Sequence, residues 1–153
     1  MSGSRTDEGL YVIALWLPAW TTVTVGALGR IGFAPGLYLY AGSAARGIES
    51  RVARHRAMGK KLRWHIDYFR RKAQWQWAVA FPASVGECPL ARMVAEATAA
   101  AVAHPRFGAS DCRCPGHLLV TRQEPAMALG ALVSMGGRPM AEESGAKCAG
   151  PVE

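Results

Sequence analysis

The sequence is short of acid. Its 153 residues carry 11 Asp/Glu against 18 Lys/Arg, a formal net charge of +7, and that balance favours polyanionic partners such as nucleic acid. Long apolar runs are also missing. The best one, Leu10 to Leu17, is cut at Pro18 and falls short of the roughly 18–20 residues that span a bilayer, so no membrane partner is expected. The preceding MSGSRTDEG has neither a basic flank nor a small-residue cleavage site, which leaves a cytoplasmic location as the expectation. Cysteines are scarce: Cys88, Cys112, Cys114 and Cys148 are too few and too unevenly spaced for a secreted disulfide framework, and reduced thiols or a metal site are expected instead. No internal repeat is present. Half of the residues are hydrophobic and 19% are charged, which excludes general disorder, and the length suits a single domain.

The positive charge is concentrated. Arg46 to Lys72 holds ten Lys/Arg and two acids, while the remainder holds eight Lys/Arg and nine acids. This stretch is expected to touch nucleic acid through Arg54, Lys60, Lys61, Arg63, Arg70 and Arg71, with Trp64 among them for stacking. A solvated basic helix face is the plainer explanation of the same pattern.

Local patterning predicts a small α/β (α+β) domain, an antiparallel β-sheet flanked by helices. Gly9 to Leu17 is apolar on both alternating faces and reads as a central strand covered on two sides. Trp20 to Val25 is β-branched and reads as a second strand of the same sheet, followed by turns at Gly26, Gly29 and Gly32. In Leu37 to Ala41, Tyr38 and Tyr40 share one face and Leu37 and Leu39 the other. Trp75 to Phe81 alternates as a strand with one buried face. Between these, Gly47 to Met58 turns helical: Ile48 and Val52 set the apolar stripe, His55 lies about 20° from Ile48 and Arg51 about 60°, with Arg54 and Arg56 pointing to solvent. WHIDYFRRKA predicts a second, short helix. A further helix starts near Glu87 and runs into an alanine-rich segment, with Glu87 on the stripe of Leu90 and Val94. Leu118 to Thr121 is a short strand. Residues 1–8 are expected to be a flexible N-terminus, 9–122 the domain, and 123–153, which lack sustained periodicity, a flexible tail.

Five polar groups, Tyr11, Tyr40, Arg51, His55 and Glu87, are thereby directed toward one surface. Singly each has an ordinary explanation: tyrosines are good strand residues, an arginine on a helix edge can snorkel, and a glutamate in a first turn complements the helix dipole. Together they are what a phosphodiesterase needs. A carboxylate suits a hard divalent cation, an arginine offsets charge developing on phosphate, and phenol and imidazole groups move protons.

In that arrangement the chain resembles the GIY-YIG nuclease superfamily. Gly9-Leu10-Tyr11, Tyr40-Ala41-Gly42, Arg51 with His55, and Glu87 occur in the superfamily's order. YAGSA, RVARH, the KK and WHIDYF segments, the Glu87-Cys88 pair and DCRCPGHL look like an uncharacterised subgroup also found fused to endonuclease III-like glycosylases. The likeness covers roughly Gly9 to Arg122. It implies a metal-dependent endonuclease that hydrolyses DNA phosphodiester bonds in repair, recombination or defence. It further implies Glu87 as the ligand of one Mg2+ or Mn2+, Arg51 at the scissile phosphate, Tyr11 as general base or water-orienting group, and Tyr40 and His55 assisting. Three features depart from the pattern. The gap from GLY to YAG is longer than usual and must accommodate an extra hairpin, GLY recurs at Gly36 to Tyr38 so that Tyr38 competes with Tyr40, and Gly108 stands about where the superfamily has a late Asn. A catalytically inactive nucleic-acid-binding module on the same scaffold is the alternative these departures support.

Cys112, Cys114 and His117 are a candidate zinc or structural set, with Cys88 or Cys148 as a fourth ligand, but C-x-C lacks the usual spacing of a zinc knuckle. A tight turn with buried thiols is one alternative, and the approach of Asp111 and His117 to the active site is another.

Overall fold

The computed structural model describes residues 8–108 and 116–141. β1, Gly9–Leu17, is buried along almost its whole length, as expected for a strand covered on both faces. It lies between β4, Gly36–Ala44, and β5, Gln74–Phe81, pairing antiparallel with each. β7, Leu118–Thr121, extends the sheet beyond β4. Two-residue strands, β6 at Ala101–Val102 and β8 at Arg138–Pro139, close its edges. The order is β6-β7-β4-β1-β5-β8.

The segment between β1 and β4 departs from the expected sheet. β2, Thr21–Val25, pairs with β3, Gly29–Phe33, in a separate two-stranded ribbon. The cause is the sequence around Pro18, which ends the β1 ladder, together with an alternation that continues past the glycines. Val23, Val25, Ile31 and Phe33 face inward and are buried, while Thr22, Thr24, Arg30 and Gly32 face outward. Gly29 and Gly32 are therefore strand residues rather than turns. Only Gly26 begins a turn, the 3-10 segment Gly26–Leu28.

The sheet has a core on each face. On one, Tyr11, Ile13, Leu15, Tyr38 and Tyr40 lie beneath the ribbon, α1 (Ile48–Arg56) and α2 (His65–Arg70). On the other, Val12, Leu37 and Leu39 pack beneath α3, Glu87–Thr98, and α4, Pro125–Ser134. β5 is accordingly buried on both faces from Ala78 to Phe81, not on one alone. α4 also corrects the reading of the segment after Gln123 as a tail. Pro125 opens the helix, and Ala128 and Leu132 are fully buried against α3 and β5. Its mostly small, apolar residues blur any amphipathic stripe, which is why periodicity did not reveal it.

α1 and α2 are joined by Asp67. Its carboxylate accepts both guanidinium hydrogen bonds of Arg54, at 3.0 and 3.1 Å, and the amides of Arg63 and Trp64, at 2.8 and 2.9 Å. Asp67 is fully buried; burial pushes its carboxyl up, but these four donors outweigh that and hold it below the ordinary range.

If α4 belongs to the core, Leu132→Ala lowers unfolding free energy by about 2–5 kcal/mol, whereas Met127→Ala, at an exposed position of the same helix, changes it by no more than about 0.5 kcal/mol. Urea denaturation of the two variants distinguishes this from a frayed tail, for which both substitutions would be neutral.

Candidate active site

Tyr11, Tyr40, Arg51, His55 and Glu87 all line one open cleft of about 260 Å³. It forms where the ends of β1 and β4 meet the first turns of α2 and α3. The β1/β4 register sets Tyr11 opposite Gly42. A Cβ on Gly42 would stand 2.5 Å from the Tyr11 ring, so only glycine lets the phenol cross the neighbouring strand. Its hydroxyl then lies 2.7 Å from His55 Nε2 on α1.

Burial dominates the Tyr11 phenol and raises it to about 12, although the Arg51 guanidinium beside it acts in the opposite sense. It is therefore protonated near neutral pH. His55 is 1% exposed, and its ring is driven down to about 3, chiefly by burial and then by Lys60. A neutral imidazole thus faces a neutral phenol. Tyr40, also buried, is raised well above the ordinary phenol range for the same reason. Tyr38 does not line the cleft: its hydroxyl donates to the Ala34 carbonyl at 2.6 Å and its ring packs on Phe33 and Phe69.

Arg51 and Glu87 are both anchored on Ser43. The guanidinium donates to the Ser43 carbonyl at 2.9 Å, and the Ser43 hydroxyl donates to Glu87 Oε1 at 2.7 Å. The two charges do not pair with each other. On its other oxygen, Glu87 meets His117 Nδ1 at 2.7 Å. Burial raises the Glu87 carboxyl, but His117 and Ser43 together outweigh it, and the group is held below its ordinary value as a carboxylate. His117 is held in place by its own backbone, whose amide donates to the Phe107 carbonyl and whose carbonyl accepts from the Ala41 amide.

The basic segment divides. Arg63 and Trp64 line the cleft, and the guanidinium carbons of Arg51, Arg54 and Arg63 lie 4.8, 4.5 and 5.6 Å from the Trp64 ring. With its faces so engaged, Trp64 spaces the guanidiniums. Lys61, Arg63 and Arg71 are exposed. Arg54, expected to point to solvent, is instead tied to Asp67 and the Lys61 carbonyl. Lys60 donates to the Arg54 and His55 carbonyls and closes the end of α1. Arg70 is buried, with its guanidinium on the Ala73 and Arg56 carbonyls. These three have internal duties that a count of charges could not show.

Ser43, His65 and Gly108 complete the cleft and were not anticipated as a site. Ser43 carried a weak signal, since it follows Tyr40-Ala41-Gly42 directly. Gly108 has φ +72°, and a Cβ there would stand 2.8 Å from the Tyr40 ring. No side chain fits at that position without displacing Tyr40. As for the cysteine set, Cys112 and Cys114 lie outside the described residues, as do Asp111 and Cys148. Cys88 is disulfide-bonded, which overturns the expectation of a reduced thiol there, and its sulfur lies 3.5 Å from His117 Nε2. His117 itself stands beside Glu87. No group of three metal-ligating side chains occurs among the described residues.

Residues 10–135 match the model of a family described as Domain of unknown function DUF123, and the chain belongs to that family. No curated protein and no solved structure matches it. Among the described residues no helix is long and apolar enough to cross a membrane.

The state of His55 makes stability depend on pH. The folded chain keeps the ring neutral down to about 3, whereas the unfolded chain protonates near the ordinary 6.5. The stabilisation is complete above the unfolded value and is lost as pH falls, with a slope of up to about 1.4 kcal/mol per pH unit. Urea midpoints measured from pH 7 to pH 4 should fall less steeply in His55→Phe than in the unaltered protein; parallel curves would contradict a buried neutral imidazole.

Proposed function

We propose that this protein is a divalent-metal-dependent endonuclease that hydrolyses phosphodiester bonds in DNA. The observation that carries the reading is the pair of opposite charges on Ser43. Arg51 and Glu87 are fixed within one cleft, yet neither neutralises the other. Such an arrangement suits a ligand that is itself anionic and metal-bound, as a phosphodiester would be. The resemblance to GIY-YIG nucleases points the same way, and the exposed Lys61, Arg63 and Arg71 supply positive charge for the strand.

Glu87 suits Mg2+ or Mn2+ by its chemistry. It is a hard oxygen donor kept ionised, and Ser43 and His117 each meet one of its oxygens, as outer-shell partners do in metal sites. Mg2+ needs only one or two protein carboxylates because water and phosphate fill its remaining positions. When bound, the ion would supply Lewis-acid polarisation of the phosphoryl group. The described residues offer no corresponding zinc set.

The chain's own residues do the rest. Arg51 holds the scissile phosphate and offsets the charge that grows on its oxygens. Tyr11 orients the attacking water through its hydroxyl oxygen, which the 2.7 Å contact with the neutral His55 Nε2 holds in position. With the phenol raised to about 12 even with Arg51 beside it, Tyr11 would act as a base only when the charge of a bound metal ion is added. Tyr40 forms the wall that keeps His55 dry; its ring centroid is 6.0 Å from that of His55.

The alternative is a binding module that no longer cuts. Gly108 favours it, since the close Tyr40 ring leaves no room for the side chain of an Asn there. The two readings part on cleavage. Labelled single-stranded, duplex and branched DNA should be cut in Mg2+ or Mn2+ and not in EDTA. Glu87→Gln and Arg51→Ala should each lower the rate by at least ~100-fold, the usual scale for a principal electrostatic group. Binding without cleavage of any substrate would support the module, and cleavage retained in both variants would remove the site assignment.

The division of the basic segment gives a second expectation. Lys61→Glu or Arg71→Glu should weaken DNA binding and flatten its salt dependence, because each removes a solvent-facing charge. Arg70→Ala should act mainly on stability. Equal salt slopes for all three would contradict the division.

A further inference from the structure

His65 is the one cleft residue with a bond that dictates its protonation and no role in the chemistry described above. The Gly108 amide donates to its Nδ1 at 3.0 Å. An atom that accepts a hydrogen bond carries no proton, so the neutral ring must carry its hydrogen on Nε2. Burial, with His104 adding, pushes the imidazole below its ordinary value and keeps it neutral near pH 7. The ring is also held in place, set edgewise against Phe107 at 5.4 Å between centroids. Nε2 itself makes no hydrogen bond to the described residues, although His65 lines the cleft that Arg51 and Glu87 share.

We propose that His65 is a phosphate-contacting residue, whose Nε2–H donates to a non-bridging phosphodiester oxygen of the DNA strand held in the cleft. The inference rests on the proposed function, and it adds a contact that the charge pattern does not supply. A neutral donor in a fixed tautomer selects an acceptor by position. The flexible cations at Lys61, Arg63 and Arg71 attract any phosphate. The Gly108 bond acts as the orienting partner, fixing which nitrogen is presented.

The test is binding in EDTA, which needs no cleavage. Oligonucleotides carrying a single uncharged methylphosphonate at successive positions are titrated against unaltered protein, His65→Ala and His65→Asn. His65→Asn can still accept from the Gly108 amide through its side-chain oxygen but has no donor at Nε2, so it separates a lost contact from a disturbed fold. Losing a hydrogen bond to a charged group is expected to weaken binding of unmodified DNA about tenfold in both variants. At one methylphosphonate position the penalty seen with the unaltered protein should vanish in both, while penalties elsewhere persist. If either folded variant binds unmodified DNA like the unaltered protein, or keeps every penalty, the assignment of His65 is overturned and the nuclease reading is untouched. If the unaltered protein binds none of the oligonucleotides, both readings fall together.

Discussion

The passage of the Tyr11 ring over Gly42 is the constraint on which the cleft depends. β1 and β4 are the central antiparallel pair, and their register sets these two residues opposite each other. Because Gly42 has no side chain, the phenol crosses to α1 and meets His55. That bond holds α1 on the sheet at its polar end while Ile48 and Val52 hold it through apolar contact. With α1 in place, Arg51 reaches the carbonyl of Ser43, one residue beyond Gly42. The hydroxyl of the same serine meets Glu87 at the start of a helix that packs on the opposite face of the sheet. One strand end thus joins groups delivered from both layers.

Charge in the basic segment is organised by two residues that are not basic. Asp67 gathers Arg54 and the amides before α2, and Trp64 presents its ring to three guanidiniums. A run of ten cations within 27 residues would otherwise repel itself. Spending Arg54, Lys60 and Arg70 on carbonyls and a carboxylate lets the chain turn sharply between α1 and α2. The outward cations are fewer than the composition implies.

Much of this was legible in the sequence because it is local. The two-sided burial of β1, the facing of Tyr38 and Tyr40, the stripe that puts His55 inward and the start of α3 at Glu87 all follow from periods of two and 3.6 residues. Other elements were not legible. β3 was hidden by its glycines, although Ile31 and Phe33 alternate correctly around Gly32. α4 was hidden by small apolar residues on most of its surface. The roles of Ser43, His65 and His117 depend on partners 44, 43 and 30 positions away, and a spacing rule contains no information on contacts that tertiary packing makes. Charge counts likewise cannot tell a cation bound to a carbonyl from one facing solvent.

The most direct test of Glu87 as the metal-binding group is a Mn2+ titration followed by NMR, in which paramagnetic broadening reports distance from the ion. If Glu87 holds the ion, resonances of Ser43, Glu87 and His117 broaden first and Glu87→Gln abolishes the effect. Broadening centred elsewhere, or unchanged in Glu87→Gln, would contradict it.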